Sequence, residues 1–207
     1  MSATTPGVGA AKKLMTSDEF WEFVHRPENR DQFFELIRGE VIELPRPTRR
    51  HGAVAGNVAR LLGNYSFQVN HGYVVSNDSG VILEEDPDTV VGPDVGFFTD
   101  AATFDDIHPK WGEEVPLLAV EVLSPNDRMT KVLRKMEDYH KNGVKVVWLV
   151  DYEEKKVTVF RPAAGHLVLD EDAVLSGEPE LPGFSASVAD FFRIPGDTLP
   201  PPQPPAA

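Results

Sequence analysis

One stretch constrains the fold more than any other: an apolar run at 117–123 that carries a single acid and leads into a helix. The run reads LLAVEVL, and Glu121 is its only charged residue. Apolar residues on both sides of the alternation indicate a central strand that is covered on both faces of its sheet. A carboxylate inside such a strand is costly to bury unless it meets a partner or a metal ion. The sequence therefore predicts a buried strand at 115–123 whose acid needs a partner.

The residues that follow predict a turn, Ser-Pro-Asn-Asp at 124–127, and a helix over about 127–142. At about 100° per residue, the helix has an apolar stripe expected to face the sheet, which contains Met129, Val132, Leu133, Met136 and His140. Lys135 and Tyr139 are four residues apart and lie on the shoulder of this stripe. We expect Lys135 to extend its amine toward carboxylates at the strand ends, although a lysine in such a position can equally extend into water.

Asp94 offers a second acid, because Pro93 precedes it and the strand-like run 95–98 follows it. Sites in α/β folds are common at the ends of strands, where Glu121 is also expected. Two other readings remain open from the residues alone. Glu121 could form a structural ion pair with an arginine or lysine, and Pro93-Asp94 could be an ordinary turn.

An aspartate, a glutamate and a lysine together have the chemistry that metal-assisted phosphodiester hydrolysis needs. Carboxylate oxygens are hard ligands of the kind that hold Mg²⁺ or Mn²⁺. Such a metal ion polarises the phosphate and lowers the pKa of a bound water, and a nearby lysine orients that water or offsets charge developing on phosphorus. Mg²⁺ or Mn²⁺ is therefore the expected cofactor.

The rest of the chain predicts paired strands with helices before and between them, which is typical of an α/β layer fold with a mixed sheet. Thr16 and Glu19 form a capping-box pattern at a helix start, and Arg38-Gly39 is a two-residue hairpin signal. The acidic segment 84–88 is interpreted as a turn. The other predicted elements are a helix to about 25, a hairpin at 33–44, a helix at 49–69, a second pair of strands at 73–83 broken at 77–78, strands at 95–98, 144–150, 157–160 and 167–169, and a short helix at 188–192.

Composition limits the class of protein. The 207 residues suit one domain with a full core. The chain has no cysteine, which excludes disulfides and thiolate zinc sites. Its apolar runs are too short to span a bilayer and its start lacks a signal-peptide core, so we expect a cytoplasmic protein. The net charge of -13 argues against broad attraction to nucleic acid but leaves room for a local basic groove.

Several short motifs follow one another in a fixed order between about residues 16 and 161. Besides His51 at the start of the predicted second helix, they are Phe34-Glu35-Leu36-Ile37-Arg38-Gly39-Glu40, Pro93-Asp94, Glu121-Val122-Leu123-Ser124-Pro125, Lys135-x-x-x-Tyr139, Gly143-Val144 and Trp148-Leu149-Val150-Asp151. As an ordered set they resemble the Uma2 family of restriction endonucleases, which belongs to the PD-(D/E)XK nuclease superfamily.

The resemblance implies a restriction-endonuclease-like core, a mixed β-sheet flanked by helices in a single domain. It implies that Asp94 and Glu121 are metal ligands and that the Val122 carbonyl is a third. The superfamily's usual lysine stands two residues after the glutamate, where this chain has Leu123. Uma2 shares this departure and moves the lysine to the following helix, so the resemblance gives that role to Lys135.

The resemblance also assigns roles to residues that the pattern alone leaves open. Glu35 is implied as an additional acid near the metal, but a strand glutamate beside a hairpin can also be a solvated face residue. Tyr139 is implied to orient Lys135 or a phosphate. His51 has either a role in the site or only a place in the first turn of its helix. Asp151 is interpreted as a turn residue.

The expected function is a Mg²⁺-dependent endonuclease acting on DNA, as a homodimer because two active sites are needed to cut both strands. The expected domain spans 14–194, between a disordered tail at 1–13 and a proline-rich tail at 195–207. One alternative is a nuclease fold that no longer cuts and acts as a binding or scaffold protein, which the net charge favours. A carboxylate-pair hydrolase such as a glycosidase is another, and it leaves Lys135 unexplained.

Overall fold

The computed structural model describes residues 14–125, 127–162 and 165–197. Three α-helices lie within these ranges: α1 Ser17–Val24, α2 Arg49–Val69 and α3 Met129–Lys141. None of the helices in the described ranges is long and apolar enough to cross a membrane. The tail predicted at 1–13 and residues 198–207 of the tail predicted at 195–207 lie outside the described residues, and so does Asn126 of the predicted turn.

The strands of the described ranges form one large six-stranded sheet, one small four-stranded sheet and one two-stranded sheet. In chain order they are β1 Phe33–Ile37, β2 Glu40–Leu44, β3 Tyr73–Ser76, β4 Val81–Glu84, β5 Thr89–Val91, β6 Val95–Phe98, β7 Leu118–Val122, β8 Val146–Asp151, β9 Lys156–Arg161, β10 Gly165–Leu169, β11 Val174–Ser176 and β12 Ser185–Ser187. The six-stranded sheet has the order β10-β9-β8-β7-β6-β3, and the four-stranded sheet has the order β2-β1-β5-β4. β7 and β8 are parallel and joined through α3, whereas β6 is antiparallel to β7. The predicted fold class, a single-domain mixed α/β fold, is confirmed.

The acid-bearing strand β7 lies inside the large sheet and is covered on both faces. Leu118 and Val120 pack with the face of α2 that carries Val58 and Leu62. On the other face Ala119 belongs to a second cluster with Val147 and with Met136 and Tyr139 of α3. Because side chains alternate along a strand, Glu121 points to the same face as Ala119, toward α3.

The β1–β2 hairpin forms where its turn signal predicted it. Arg38 and Gly39 both have positive φ, 52° and 75°, as a type I′ turn requires. The hairpin is tied to the start of α1 through Asp88, whose carboxylate accepts the Ser17 amide at 2.7 Å and whose carbonyl accepts the Gly39 amide at 2.7 Å. The predicted capping box between Thr16 and Glu19 is present. These contacts fix the position of the hairpin relative to the start of α1 and to the turn before β5.

The prediction of a second pair of strands at 73–83 was wrong in its pairing. β3 pairs with β6 in the large sheet, and β4 pairs with β5 in the small one. Asn77 and Asp78 both have positive φ, and the turn they form carries the chain from one sheet to the other. β5 was not predicted, because a strand of three residues after an acidic turn is too short to show the alternating pattern of a strand.

The buried face of α3 is also rotated from the predicted stripe. Met129 and Leu133 are 50% and 43% exposed, whereas Tyr139 is completely buried. The helix faces a cluster of acids as well as an apolar sheet, so part of its buried side is polar. Hydrophobic periodicity does not detect a helix face that is buried through a lysine amine or a tyrosine hydroxyl.

Candidate active site

A cavity of about 440 Å³ opens at the end of β7, between the β1–β2 hairpin and α3. Its lining contains five of the six predicted site residues, and the sixth, Tyr139, lies behind it. The lining residues that carry site chemistry are Glu35, His51, Asp78, Asp94, Glu121, Val122 and Lys135. The fold thus brings together side chains from both sheets, from two helices and from one turn.

Lys135 is the centre of the contacts in this cavity. Its Nζ lies 2.9 Å from Glu35 Oε1, 2.9 Å from Glu121 Oε1 and 3.0 Å from Glu121 Oε2. The Gly92 carbonyl is a longer acceptor at 3.4 Å. One ammonium from α3 therefore bridges an acid of β1 and an acid of β7.

Tyr139 lies one helical turn beyond Lys135 on the same face, and its hydroxyl donates to Glu121 Oε1 at 2.7 Å. Burial, and next the Glu121 charge, raise the pKa of Tyr139 well above its ordinary value. The phenol therefore stays neutral and acts as a hydrogen-bond donor. Glu121 has both of its oxygens oriented by α3.

The pKa values of the charged pair follow from burial and from neighbouring charges. Burial raises the pKa of Glu121 to about 7, opposed by Lys135 and reinforced by Asp94 and Glu35. Burial alone would lower the pKa of Lys135, but the Glu121 charge and its other acidic neighbours raise it well above its ordinary value. Lys135 is therefore a cation at neutral pH, and its amine is not available as a base.

Asp94 lies just before β6 and is fixed to the end of β7. Its Oδ2 accepts the Val122 amide at 2.6 Å, and its Oδ1 lies 3.3 Å from His51 Nε2. His51 stands in the first turn of α2, where its amide donates to the capping Thr48 hydroxyl, and its ring faces Asp94. Burial lowers the pKa of His51, but Asp94 and the Val122 carbonyl raise it by more.

Asp78 is an acid of this cavity that the sequence did not single out. It lies in the turn between β3 and β4, and burial followed by the charge of Asp94 raises its pKa to about 6. The pair Asn77-Asp78 predicted a turn, and nothing in its spacing connected it with Asp94. This carboxylate lies at the cavity because β3 and β4 belong to different sheets and the turn between them crosses from one sheet to the other.

The residues present fit a small hard cation. No group of three His, Asp or Glu side chains among the described residues is arranged to hold a metal ion by itself. Mg²⁺, however, usually takes one or two carboxylates and completes its shell with water and substrate phosphate. Asp94, Glu121 and the Val122 carbonyl offer such a partial, all-oxygen set, which suits Mg²⁺ or Mn²⁺ better than softer metals.

A second depression, of about 700 Å³, lies beside this cavity between the 84–87 turn and the end of α3. Its acids, Glu84, Glu85, Asp86 and Glu113, belong mainly to exposed turns, and Glu84 is paired with Lys141. None of the predicted site residues lines it. The chemistry of the chain is therefore concentrated in the smaller cavity.

Comparison with protein families matches residues 20–189 to the model of Uma2, described as "Putative restriction endonuclease". The match covers most of the chain and includes every residue of the cavity discussed above. The chain belongs to the Uma2 family. The family predicted from the order of the motifs is thus confirmed.

Among solved structures, this Uma2 chain is similar to one from Anabaena variabilis, described as a "putative nuclease belonging to DUF820". The two share 24% sequence identity with a TM-score of 0.72, over 86% of this chain and 97% of the other. At this identity the likeness supports the fold alone. No protein in a curated collection matches the chain significantly.

Proposed function

We propose that this Uma2 chain is a metal-dependent endonuclease that hydrolyses phosphodiester bonds of DNA. The observation that carries the proposal is the position of Lys135 between Glu35 and Glu121, beside Asp94. The cluster places a cation and several acids at the end of a central strand, in an open cavity. It matches the needs of phosphoryl transfer, in which developing negative charge has to be stabilised.

In this proposal Asp94, Glu121 and the Val122 carbonyl hold Mg²⁺ or Mn²⁺, which when bound polarises the phosphate and supplies an acidified water. Lys135 keeps its proton and presents its positive charge to the phosphate or to the attacking water. Glu35 and Tyr139 position Lys135 and Glu121 through the hydrogen bonds described above. Their effect on the reaction is indirect.

We also propose a homodimer for cleavage of duplex DNA, because cutting both strands calls for two active sites and each chain contributes one. Sedimentation velocity of the purified protein, alone and with duplex DNA, measures this directly. A dimer is expected in at least one of the two conditions. A monomer in both would remove this part of the proposal.

A second candidate function is a nuclease fold that binds nucleic acid or a protein partner without cutting. Two observations favour it. The chain carries a net charge of -13, and the ammonium of Lys135 contacts both oxygens of Glu121, where a metal ion would have to bind. In this reading Lys135 replaces the metal ion as the partner of the acids.

One experiment separates the two candidates. Supercoiled plasmid and labelled DNA oligonucleotides are incubated with the protein in Mg²⁺, in Mn²⁺ and in EDTA, and products are resolved on gels. The nuclease proposal predicts products with either metal and none in EDTA. Intact DNA in every condition would contradict it and support the binding protein.

A further inference from the structure

The β1–β2 hairpin has two apolar faces, and only one of them is used by the fold. The strand register places Phe33 opposite Leu44 and Glu35 opposite Ile42. On the back of the hairpin, Phe34 meets Phe23 of α1 edge-on with ring centroids 5.1 Å apart. The front, with Phe33, Glu35, Ile42 and Leu44, lines the cavity.

The front face puts apolar surface directly beside the charged centre of the site. Ile42 is 38% exposed, although it is a β-branched residue within a strand. Phe33 and Leu44 are half-buried. Ile42 is the cross-strand neighbour of Glu35, which binds Lys135. A ligand whose phosphate reaches Lys135 would therefore place its next group against Phe33, Ile42 and Leu44.

Cations surround this apolar wall. The Arg46 guanidinium lies 6.0 Å from the centroid of the Phe33 ring and donates one hydrogen bond to the Asp31 carbonyl at 2.8 Å, so it keeps N–H groups for a ligand. Lys131 and Arg134 line the opposite wall from α3 and are exposed. Neither forms an ion pair within 4 Å with a residue that the structure describes, although the charge of Arg134 acts on the carboxyl of Asp138. The same lining also contains the acids Glu40, Asp127 and Asp138, so the three cations supply positive charge at particular points and not over the whole cavity.

We propose that this wall binds the base and sugar of an unpaired nucleotide, and that each active site takes its strand unpaired, from single-stranded DNA or from a locally opened stretch of a duplex. The inference rests on the proposed nuclease function and adds the substrate class. A ligand for this site needs anionic groups for Arg46, Lys131 and Arg134 and a flat apolar group for Phe33. A nucleotide combines the two, and its base face is available only when the base is unstacked from a duplex.

The size of the cavity agrees with this assignment. Its volume of about 440 Å³ is in the range of pockets that enclose a small molecule, which is the scale of one or two nucleotides. Phosphate contacts alone would not require apolar surface, because the phosphates of a duplex are presented to a protein on its outside. Stacking on an aromatic ring supplies affinity without selecting a base, since every base has a π-face.

The test is binding, measured apart from cleavage. Fluorescence anisotropy in EDTA and in Ca²⁺ compares a labelled oligothymidine, the same oligonucleotide with abasic sites, and a duplex of equal length. Wild-type protein is expected to bind oligothymidine about tenfold more tightly than the abasic strand, the loss typical of one base stack. Phe33→Ala and Ile42→Ser are expected to weaken binding to oligothymidine by a similar factor and to leave binding to the abasic strand unchanged.

Ile42→Ser is the safer variant for folding, because Ile42 is already partly exposed. Leu167→Ser is the matched control, since Leu167 is 55% exposed on β10 and does not line the cavity. Equal affinity of the wild type for the three probes would overturn the inference. So would a loss of oligothymidine affinity in Leu167→Ser as large as the loss in Phe33→Ala and Ile42→Ser. If either of these results is found while the protein cleaves duplex DNA in a metal-dependent way, the nuclease proposal stays intact and only the inference about the unpaired base is removed. Base-dependent binding without cleavage in any metal would keep the inference and remove the nuclease proposal.

Discussion

The ammonium nitrogen of Lys135 lies 2.9 Å from Glu35 Oε1, although the two residues are separated by 100 positions in the chain. The contact connects the hairpin of the small sheet with the helix that covers the large one. Glu121 shares the same ammonium, so two carboxylates surround one cation, and Asp94 adds a third negative charge nearby. The cavity has an excess of negative charge at its floor, which favours a divalent cation.

Removal of the lysine charge should separate metal binding from catalysis. In Lys135→Met the carboxylates of Glu35 and Glu121 lose their cation, so we expect Mn²⁺ to bind more tightly than in the wild type. Cleavage should fall by about 100-fold or more, which is the loss typical of one charge-stabilising donor. Calorimetric titration with Mn²⁺ and single-turnover cleavage measure the two effects.

The control for this variant is Lys141→Met, which removes a lysine from the same helix and breaks its pair with Glu84 outside the cavity. Lys141→Met should change neither the Mn²⁺ affinity nor the cleavage rate. Cleavage by Lys135→Met at the wild-type rate would exclude a catalytic role for this lysine. Weaker Mn²⁺ binding by the variant would show that the charge of Lys135 does not oppose metal binding.

The Tyr139 hydroxyl should matter for the reaction more than for folding. Tyr139→Phe keeps the buried ring and removes the donor to Glu121 Oε1. Loss of a hydrogen bond that orients a metal ligand typically costs about 10–100-fold in metal affinity or activity. The free energy of unfolding should fall by about 2 kcal/mol, as for a hydrogen bond to a charged group. Cleavage rates, Mn²⁺ titration and urea unfolding give the three values.

Tyr73→Phe provides the comparison, because the Tyr73 hydroxyl donates to Asp100 Oδ1 at 3.0 Å on the surface. This variant also deletes a tyrosine–carboxylate hydrogen bond, yet it should cleave at the wild-type rate. A similar loss of activity in the two variants would mean that Tyr139 acts through general stability.

Asp88 should stabilise the hairpin and α1 in a manner that depends on pH. Partial burial would raise the pKa of Asp88, but the amides of Ser17 and Asp86 lower it by more, and the net direction is downward. The unfolded state then binds the proton more tightly, so this stabilisation is present above about pH 4 and is lost as pH falls through the lower, folded-state pKa. At neutral pH, Asp88→Asn should cost about 1 kcal/mol.

Urea unfolding of the wild type and Asp88→Asn at several pH values measures this difference. It should shrink as the pH falls below about 4. Asp105→Asn, which alters an exposed carboxylate away from the hairpin, should show no such dependence. A difference that stays constant down to pH 2–3 would show that the Asp88 charge has no part in the stabilisation.

The site residues that could be predicted from the sequence are those whose relative positions depend on local secondary structure. Glu121, Lys135 and Tyr139 stand on one strand and the helix that follows it, so helical spacing placed Lys135 and Tyr139 on one side of the helix, and the family resemblance directed them to Glu121. Asp94 was found through Pro93 and the strand after it. The contact of Glu35 with Lys135 depends on how two sheets pack, and only the family resemblance suggested Glu35.

What the sequence could not predict depends on the path of the chain between sheets. Asp78 reads as an ordinary turn residue, and it enters the cavity because β3 and β4 join different sheets. The face of α3 was misplaced for a related reason. Hydrophobic periodicity assigns burial to Met129 and Leu133, whereas hydrogen bonds to buried acids select Lys135 and Tyr139.

A metal ion held at Asp94 should be required to cut a phosphodiester bond, and one comparison of cleavage rates measures this requirement. Wild type, Asp94→Asn and Asp151→Asn are purified in parallel and assayed on the same DNA over a range of Mn²⁺ concentrations. Asp151 is the matched control, because its carboxylate also accepts backbone amides, from Glu153 and Glu154, but in a turn outside the cavity. We predict cleavage by wild type and Asp151→Asn and a loss of about 100-fold or more in Asp94→Asn. Equal cleavage by all three proteins would exclude a required metal ion at Asp94.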